Sequence, residues 1–539
     1  MLFDRCRTLT LTLLGTTALV ASAGTAAAQN EKLIIQVEEA DNGGSTATIE
    51  QTGEDNTATG DLDGIDDFTF FNDRTITVAP QAAGIFQDGL GSFAKIDQFG
   101  TDNAAAIDQS DEVGNADSDS ATILQGESGN VSNESIAYID QEGDEHVARI
   151  EQNGEENTSF GAQIGNLDGS ASGNSQTQIL DGNENRSEVF QDGISNEADV
   201  TLNGDENTGL ISQVADSAKA SVSTTGGSNE NTFEVTQAGT SEPLNVDIDT
   251  NGNENQAIVD QSGPGGGHET TVTQAGDEHV VEVLQSDSTE SGEGNLATIN
   301  QNGSDHEATA EQIGSGGGNS AQIAQEGADS INLTANIVQG GAGGANKADV
   351  DQTGQDQTAG IEQVGAGGGS GASIDQSTDG TQGNEAEILQ DVGAASGTDE
   401  VDVDQGGNDN SAVVTQRRPS GGGGTGNNTV ITQGGDDGAA EVEQTGAGGA
   451  NIANVQQTAT STSVGAQIEQ TGAGGGNNAD VDQSGSDHSA DIEQGGAGGA
   501  SVAAIDQSTD GTTGNDASIT QQIDAGSGTD EADIDQGGN

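Results

Sequence analysis

The chain has 539 residues, of which 30% are hydrophobic and 2% aromatic, and glycine alone supplies 85. This composition excludes a conventional globular core. Acidic residues number 91 against 11 basic ones, for a formal charge of -80. That charge excludes nucleic acid and anionic lipid as partners, since both require clustered Lys and Arg. The same composition is typical of disorder, but the regular spacing of Ile and Val contradicts disorder.

The first predicted element is a cleaved secretory signal peptide at residues 1–28. Arg5 and Arg7 precede an apolar run from Leu9 to Ala23, and small residues follow it. The run is too short and too rich in Thr for a spanning helix, and no later segment is long enough to cross a bilayer. We therefore expect an exported chain that does not span the membrane. Cys6 lies inside this segment and is the only cysteine, so disulfides do not stabilise the mature protein.

The rest of the chain divides by the quality of an internal repeat. An irregular stretch near the start contains Phe68, Phe70 and Phe71, and we interpret it as a capping element. Near the end, residues 373–408 recur as residues 504–539, at an offset of 131 residues. The predicted parts are the signal peptide at 1–28, an N-terminal segment at 29–80 with one partial repeat and the Phe-rich stretch, degenerate repeats at 81–265, and regular repeats at 266–539.

The repeat unit reads Ile/Val-x-Gln-x-Gly-x-x-Asn-x-Ala-x-Ile/Val-x-Gln, and one clear copy runs from Ile96 to Gln109. Its apolar and amide residues occupy alternate positions, which places them on one face of a strand. Gly100 lies where the chain must reverse, so each unit is predicted to be a strand, a tight turn and a strand. Residues of the opposite parity, such as Asp97 and Asp108, direct acidic charge outward.

Stacked copies of this unit, at a spacing of roughly 4.8 Å, bring each inward Gln and Asn beside its equivalents in the next copy. Such an amide ladder satisfies polar groups that are costly to bury and is an element of cross-β stacking. The predicted fold class is therefore all-β: a β-solenoid, or β-helix, of stacked strand-turn-strand repeats, amyloid-like in its stacking. The predicted ladder residues are Gln98, Asn103, Gln109, Gln141, Gln152, Asn157, Gln274, Gln285, Gln301, Gln312, Gln352, Gln363, Gln405, Asn410, Gln416, Gln433, Gln444, Gln483 and Gln494.

In the degenerate repeats the glutamine is sometimes replaced. Leu180, Leu202 and Thr250 stand where Gln is expected, although the turn Gly and the following Asn keep the frame of the repeat. We expect similar packing in these copies, with less of a ladder.

No residue pattern predicts catalysis or a specific metal site. His146, His279, His306 and His488 stand five residues after a Gln, where other copies have Asn, so we interpret them as substitutes for ladder Asn. No Cys or second His completes a ligand set. Acidic pairs occur throughout and carry no information about glycosidase chemistry. We therefore expect no enzyme activity and no catalytic, cofactor-binding or metal-ligating residues.

Calcium remains open as a non-specific ligand. Stacked outward Asp and Glu repel one another unless they are protonated, screened or bridged by a cation. The sequence therefore predicts no cofactor beyond non-specific Ca²⁺ binding by these carboxylates.

The spacing of the recurring residue types in the unit resembles the repeat of curlins, the subunits of bacterial curli fibres. The matching positions in two copies are Gln98, Gly100, Asn103, Ala105 and Gln109, and Gln405, Gly407, Asn410, Ala412 and Gln416. The resemblance implies secretion across an outer membrane and assembly into extracellular amyloid fibres that serve adhesion and the biofilm matrix. It also implies self-association, a nucleator or other curlin-like subunits, and an outer-membrane export apparatus as partners. This chain differs in its greater length, its longer Gly-rich connections and its more acidic outer positions.

The leading hypothesis is a fibre-forming structural subunit at the bacterial cell surface. The alternative is a monomeric acidic β-solenoid that acts as a surface adhesin or as a calcium-binding β-roll. A solenoid polysaccharide lyase is a third and weaker reading, because such sites use basic and aromatic residues, and the chain has 11 Lys and Arg and no Trp.

Overall fold

A computed structural model describes most of the chain beyond residue 30. The predicted signal peptide, Phe70 and Phe71 lie outside the described residues. The described residues are 31–32, 34–37, 46–54, 57–60, 68–69, 75–76, 82–88, 92–109, 118–126, 132–165, 173–224, 228–239, 244–264, 267–287, 294–314, 318–326, 332–341, 346–365, 369–378, 383–393, 398–418, 426–446, 451–458, 462–472, 476–496, 500–508, 516–523 and 530–537.

The described residues are all β-strand or turn, and none is helical. They form two compact units, one within Met1–Ser262 and the other within Gly263–Asn539. In each unit, parallel strands stack into two sheets that face each other across a narrow core, and the chain alternates between the sheets. The predicted all-β solenoid is confirmed.

The first sheet takes the strand that opens each repeat. In the first unit its strands are Thr46–Glu54, Phe93–Thr101, Ser120–Gln125, Ser132–Asn133, Val147–Glu155, Ser175–Asp181, Glu197–Asn203, Lys219–Thr224 and Asn245–Asn251. In the second unit they are Glu269–Asp277, Leu296–Ser304, Ser320–Glu326, Lys347–Thr353, Gly371–Ser377, Glu400–Gly406, Asn428–Gln433, Ile452–Gln457, Asn478–Ser484, Ser501–Ser508 and Asp530–Gly537.

The second sheet takes the strand that follows the Gly-containing turn. In the first unit its strands are Glu31–Lys32, Ile34–Val37, Thr57–Gly60, Ile85–Asp88, Ala104–Gln109, Ile136–Glu142, Thr158–Ile164, Arg186–Asp192, Thr208–Val214, Thr232–Gly239 and Gln256–Gly263. In the second unit they are Val280–Asp287, Glu307–Gly314, Thr334–Gly341, Thr358–Gly365, Glu385–Val392, Ser411–Arg418, Asp436–Thr445, Thr462–Gly472, Ser489–Gly496 and Asp516–Ile523.

Two short antiparallel pairings interrupt the parallel order near the N-terminus. Ala82–Ala83 pairs with Thr57–Gly60, and Phe68–Thr69 pairs with Thr75–Ile76. The irregular Phe-rich stretch therefore contributes one strand to a small two-stranded element.

Burial alternates along the strands with the parity that the sequence predicts. In the strand Lys347–Thr353, Ala348, Val350 and Gln352 are buried and the residues between them are exposed. The strands pair in register, so that Ile lies beside Ile or Val and Gln lies beside Gln in the next turn. Columns of Ala, of Ile or Val, and of Gln therefore run along each stack and form a core only two side chains thick.

The two strands of one repeat are not paired with each other. Each pairs instead with strands of the preceding and following turns, and a short turn carries the chain from one sheet to the other. That turn depends on glycine. Gly182 has a φ of +133°, and a Cβ on it would lie 1.8 Å from the carbonyl oxygen of Gly204 in the next turn. A side chain at this point would prevent the turns from stacking.

Candidate functional site: the interior amide ladder and the outer carboxylates

The inward glutamines of the second sheet form a hydrogen-bonded ladder in each unit. Each Nε2 donates to the Oε1 of the equivalent glutamine one turn further on, over 2.8–3.0 Å. In the first unit the ladder contains Gln87, Gln109, Gln141, Gln163, Gln191, Gln213, Gln237 and Gln261. In the second it contains Gln285, Gln312, Gln339, Gln363, Gln390, Gln416, Gln444, Gln470, Gln494 and Gln521.

The first sheet carries a second ladder, which is complete over fewer turns in the first unit. There it contains Gln98, Gln125 and Gln152, bonded over 2.7 and 2.9 Å. In the second unit it contains Gln274, Gln301, Gln325, Gln352, Gln376, Gln405, Gln433, Gln457 and Gln483, bonded over 2.7–3.2 Å.

Most ladder glutamines also tie the two sheets together. Beyond its bond to the next glutamine, Nε2 of Gln363 donates to the carbonyl oxygen of Lys347 in the opposite sheet over 2.9 Å. Gln163 bonds in the same way to the carbonyl oxygen of Val147 over 3.0 Å. Both amide hydrogens are thus used, which removes the cost of burying the group and fixes the register of turns and sheets together.

The ladder of the first sheet is interrupted in the first unit. After Gln152 the same column continues with Leu180, Leu202, Thr224 and Thr250, all fully buried. Thr224 Oγ1 accepts from the backbone N–H of Asn203 over 2.7 Å and so finds its partner in the backbone. These turns stack without amide bonds at this column.

The predicted ladder asparagines bond chiefly to backbone groups. Nδ2 of Asn157 donates to the carbonyl oxygen of Gly182 over 2.8 Å, and its Oδ1 accepts from the N–H of Asn185 over 3.0 Å. Asn103 and Asn410 use their side chains in the same way at their own turns. These asparagines therefore lie at the corner where the chain passes from the first sheet to the second, and their side chains hydrogen-bond to the backbone of the next turn.

The two glutamines of the repeat unit are eleven residues apart, as in Gln98 and Gln109, and this interval finds only part of the ladder. Most of its pairs join a first-sheet glutamine to the next second-sheet glutamine, but Gln141 and Gln152 lie in the second and first sheets and span the opposite corner. Many ladder glutamines lack a partner at that interval and were missed. The turn-to-turn interval of 22 to 32 residues would have found them, since every ladder bond joins residues that far apart.

A second corner lies before the first-sheet strands, and its asparagines are not among the predicted ladder residues. Asn174 Oδ1 accepts from the N–H of Asn196, and Asn451 Oδ1 accepts from the N–H of Asn477. Asp399 takes the same place, where it accepts from Asn427 N–H over 2.7 Å and pairs with the buried guanidinium of Arg418 over 3.1 Å. The sequence signal is an Asn six residues before a first-sheet Gln.

All five histidines are buried corner residues. His279, His306 and His488 occupy the corner before a second-sheet strand, which Asn157 and Asn410 occupy in other turns. His146 and His268 occupy the second corner, before a first-sheet strand. Nδ1 of His146 accepts from Asn174 N–H over 3.0 Å while Nε2 faces the carbonyl oxygen of Glu142 at 3.0 Å. This arrangement requires a neutral ring, and burial accordingly lowers the pKa of His146.

Rows of carboxylates lie on the outer faces of the second unit. In the first sheet, Asp351, Asp375 and Asp404 are directly opposite one another on successive strands and exposed. Partial burial, followed by the charges of Asp404, Asp402 and Asp349, raises the pKa of Asp375. Asp482, Asp506 and Asp535 form another row of the first sheet, and Glu443, Glu469 and Glu493 form a row of the second.

The outer face of the second sheet in the first unit differs from this pattern. Tyr138, Phe160 and Phe190 point away from the core yet are at most 5% exposed. Asp140 lies on the same face, and burial, then Asp108 and Glu142, raise its pKa well above the ordinary value. Asp140 is only 8% exposed, with Asp108 and Ala162 beside it on the neighbouring strands, so the acidic residue that the sequence directs outward is buried at this position.

Within the described residues, no group of three or more His, Cys, Asp and Glu side chains is arranged to hold a metal ion. The same part of the chain contains no helix of the length and apolarity that a membrane span needs.

The comparisons with known proteins agree with this geometry. The family model of the curlin-associated repeat matches residues 292–327, which contain the strands Leu296–Ser304, Glu307–Gly314 and Ser320–Glu326 and three ladder glutamines. A search of the curated proteins finds no match. The chain thus contains the curlin-associated repeat at residues 292–327, and the second-sheet amide ladder of this segment continues along the described turns of both units.

Proposed function

We propose that the protein is a structural subunit of an extracellular, curli-like amyloid fibre that supports cell adhesion and the biofilm matrix. The curlin repeat and the solenoid fold fit a structural or adhesin role. We further propose that the chain has no enzyme activity, acts at the bacterial cell surface, and binds copies of itself. A nucleator, other curlin-like subunits and an outer-membrane export apparatus are proposed partners, whereas nucleic acid is not.

The observation that carries this proposal is that successive turns are joined by the same backbone and glutamine hydrogen bonds. Gln376 bonds Gln352 on one side and Gln405 on the other, in strands that pair residue for residue. A strand of a second copy can therefore be added with the same backbone and amide bonds that join two turns of one copy. This is the stacking that an amyloid-like fibre repeats between molecules.

The outer carboxylates oppose that addition at neutral pH. A row such as Asp351, Asp375 and Asp404 places like charges one strand spacing apart, which destabilises the pairing. The pKa values of Asp351 and Asp375 are raised, so these two carboxylates bind protons more readily in the stacked state. We therefore propose that acid or divalent cations such as Ca²⁺ promote assembly.

Sedimentation of the purified mature chain tests the proposal. The chain is incubated at pH 7 and pH 4, with and without Ca²⁺, and followed by sedimentation, thioflavin fluorescence and electron microscopy. We expect fibres under the acidic or calcium-loaded conditions. A matched variant with Asp351, Asp375 and Asp404 changed to Asn should assemble at a higher pH than the native chain. Monomers under every condition would contradict a fibre subunit.

The alternative is a monomeric acidic solenoid that acts as an adhesin or a calcium-binding β-roll. The carboxylate rows favour it, because they offer oxygen ligands at regular intervals along an outer face. In that case a chelator should unfold a calcium-loaded monomer, and fibres should not form. A monomer whose unfolding midpoint does not respond to calcium would eliminate the β-roll.

A further inference from the structure

Two imidazole rings are stacked on consecutive turns at one corner of the second unit. The rings of His279 and His306 have centroids 4.9 Å apart and planes 12° from parallel. Both side chains are buried, at 0% and 1% exposure. They follow the first-sheet strands Glu269–Asp277 and Leu296–Ser304 and precede the second-sheet strands Val280–Asp287 and Glu307–Gly314. The pair thus lies where two successive turns pass from one sheet to the other.

Each ring contacts a backbone carbonyl oxygen of its own turn. Nε2 of His279 faces the carbonyl oxygen of Ala275 at 3.4 Å, and Nε2 of His306 faces that of Asn302 at 3.3 Å. A carbonyl oxygen accepts a hydrogen bond, so Nε2 carries the proton in each ring. The ring of His279 also lies against Gly276, where a Cβ would come within 2.9 Å of its Nε2. A glycine beside the ring leaves it the room it needs at this corner.

The charges near the pair lie in the turns that carry it. Asp277 and Asp305 act on the rings through their charges, and Glu278 and Glu307 adjoin them in sequence on the same turns. Leu333 holds the corresponding corner of the following turn, where its carbonyl oxygen accepts from Glu307 N–H over 2.8 Å, and its side chain is apolar and buried. The core-facing glutamines Gln274 and Gln301 are uncharged. The carboxylates favour a proton on the rings, whereas burial and the second ring oppose it.

We propose that the stacked pair of His279 and His306 is an acid-sensitive joint: neutral rings hold the two turns together, and protonation of the pair opens them. Two imidazolium ions at this separation repel each other in a site that is withdrawn from water. Opening the corner exposes the rings to water. This removes both the repulsion between the two charges and the free-energy cost of burying them. The joint is a property of the single chain and does not depend on fibre formation.

The electrostatics support this direction. Burial first, and then the neighbouring His279, lower the pKa of His306 to about 4. Burial likewise lowers the pKa of His279. An opened corner returns the rings to an ordinary value near 6.5. The stabilisation by neutral rings is therefore present above about pH 6.5 and is lost as the pH falls toward about 4.

Hydrogen exchange of the full chain, measured by mass spectrometry at low concentration, tests the joint. For His306 alone, the opening equilibrium of its turn should increase on the order of 20-fold between pH 7 and pH 5, after correction for the intrinsic exchange rate. The effect should be confined to the turns at 276–280 and 303–307. Equal protection factors at the two pH values in these turns would overturn the proposal.

Asparagine supplies the matched variants, because it occupies the same corner in other turns, as at Asn384 and Asn410. The double variant His279→Asn, His306→Asn should fold and lose the pH dependence of protection. His488→Asn, at a corner far along the sequence, should leave protection at 276–280 and 303–307 unchanged. In His279→Asn alone, the pKa of His306, followed by NMR at its Cε1 proton, should rise. A double variant with the native pH dependence would assign the opening to the carboxylates instead.

Discussion

The two units share the amide ladder of the second sheet but differ in the interior of the first sheet. In the second unit the first-sheet column is an amide ladder from Gln274 to Gln483. In the first unit the same column passes from Gln152 to Leu180, Leu202 and then threonine. Both columns stack in register, so parallel stacking itself does not require an amide at this position.

Small residues of the second sheet lie opposite the turns in which the first-sheet ladder is interrupted. Gly209 stands in the opposite sheet where most repeats have Ala, and a Cβ there would lie 3.1 Å from Val200 and 3.6 Å from Leu202. Gly161 stands where most have Ile or Val, and a Cβ there would lie 2.3 Å from the amide nitrogen of Gln176. Where the second sheet has glycine, larger side chains of the first sheet therefore fill the space, as the close packing of protein interiors requires.

The difference teaches what the ladder contributes. Leucine gains stability from burial at any register that keeps it inside, whereas an amide bond forms only when glutamine meets glutamine. We therefore expect the register to be held more strictly in the second unit, where both sheets carry a ladder, than in the first. Addition of another copy needs such a fixed register.

The largest expected effect is that of a buried charge in a ladder. Gln376→Glu should cost about 3–5 kcal/mol at pH 7, because the carboxylate cannot donate to Gln405 or to the carbonyl oxygen of Thr358. Gln191→Glu in the intact ladder of the first unit should cost the same. Burial raises the pKa of the new carboxyl, so the loss should diminish as the pH falls. Urea unfolding followed by circular dichroism measures both.

Glu362→Gln, a change on the outer face, is the control for Gln376→Glu and should not lower stability. If Gln376→Glu cost under about 1 kcal/mol at pH 7, the ladder would not hold the stack together.

The turn glycines should matter equally in both units. Gly182→Ala in the first unit and Gly407→Ala in the second, both in the turn from the first sheet to the second, each place a Cβ within 2.3 Å of a carbonyl oxygen of the next turn. The positive φ alone costs about 1–3 kcal/mol, and the contact adds to it. Gly371→Ala, where no atom lies within 4 Å of the new Cβ, is the control and should be neutral or slightly stabilising. A cost in one unit only would show that the corners also differ.

Adding an amide to the interrupted column tests the comparison directly. Leu202→Gln buries an amide between Leu180 and Thr224 and should cost about 1–3 kcal/mol. Changing Leu180 and Leu202 to Gln together extends the ladder from Gln152. The double change should therefore cost less than the two single changes combined, as measured by a double-mutant cycle in urea. Additive costs would mean that the first unit cannot accommodate the ladder.

Much of this fold follows from the sequence because period-two patterning and a fixed repeat specify a strand face directly. The inward position of Gln98 and Gln109 needs no knowledge of distant contacts. The corner role of Asn157 does, because its partners Gly182 and Asn185 belong to the next turn. The stack of His279 on His306 depends in the same way on which turns are neighbours.

The smallest expected effect concerns the outer faces, where the units also differ. Asp375 lies between Asp351 and Asp404, whereas the equivalent column of the first unit has Ile179 and Thr201. Asp375→Asn should stabilise the second unit at pH 7 by about 0.2–1 kcal/mol at low salt, a small value because the side chain is exposed.

The gain from Asp375→Asn should vanish near pH 3 and in about 1 M salt, where the neighbouring charges are neutralised or screened. The native acid has a raised pKa, so its own destabilising effect is present at neutral pH and disappears as the pH falls through that value. Thr201→Asn is the matched control in the first unit and should show no such dependence. A gain that persisted in acid and salt would mean that Asn packs better there than Asp, and the carboxylate rows would then not govern when the stack grows.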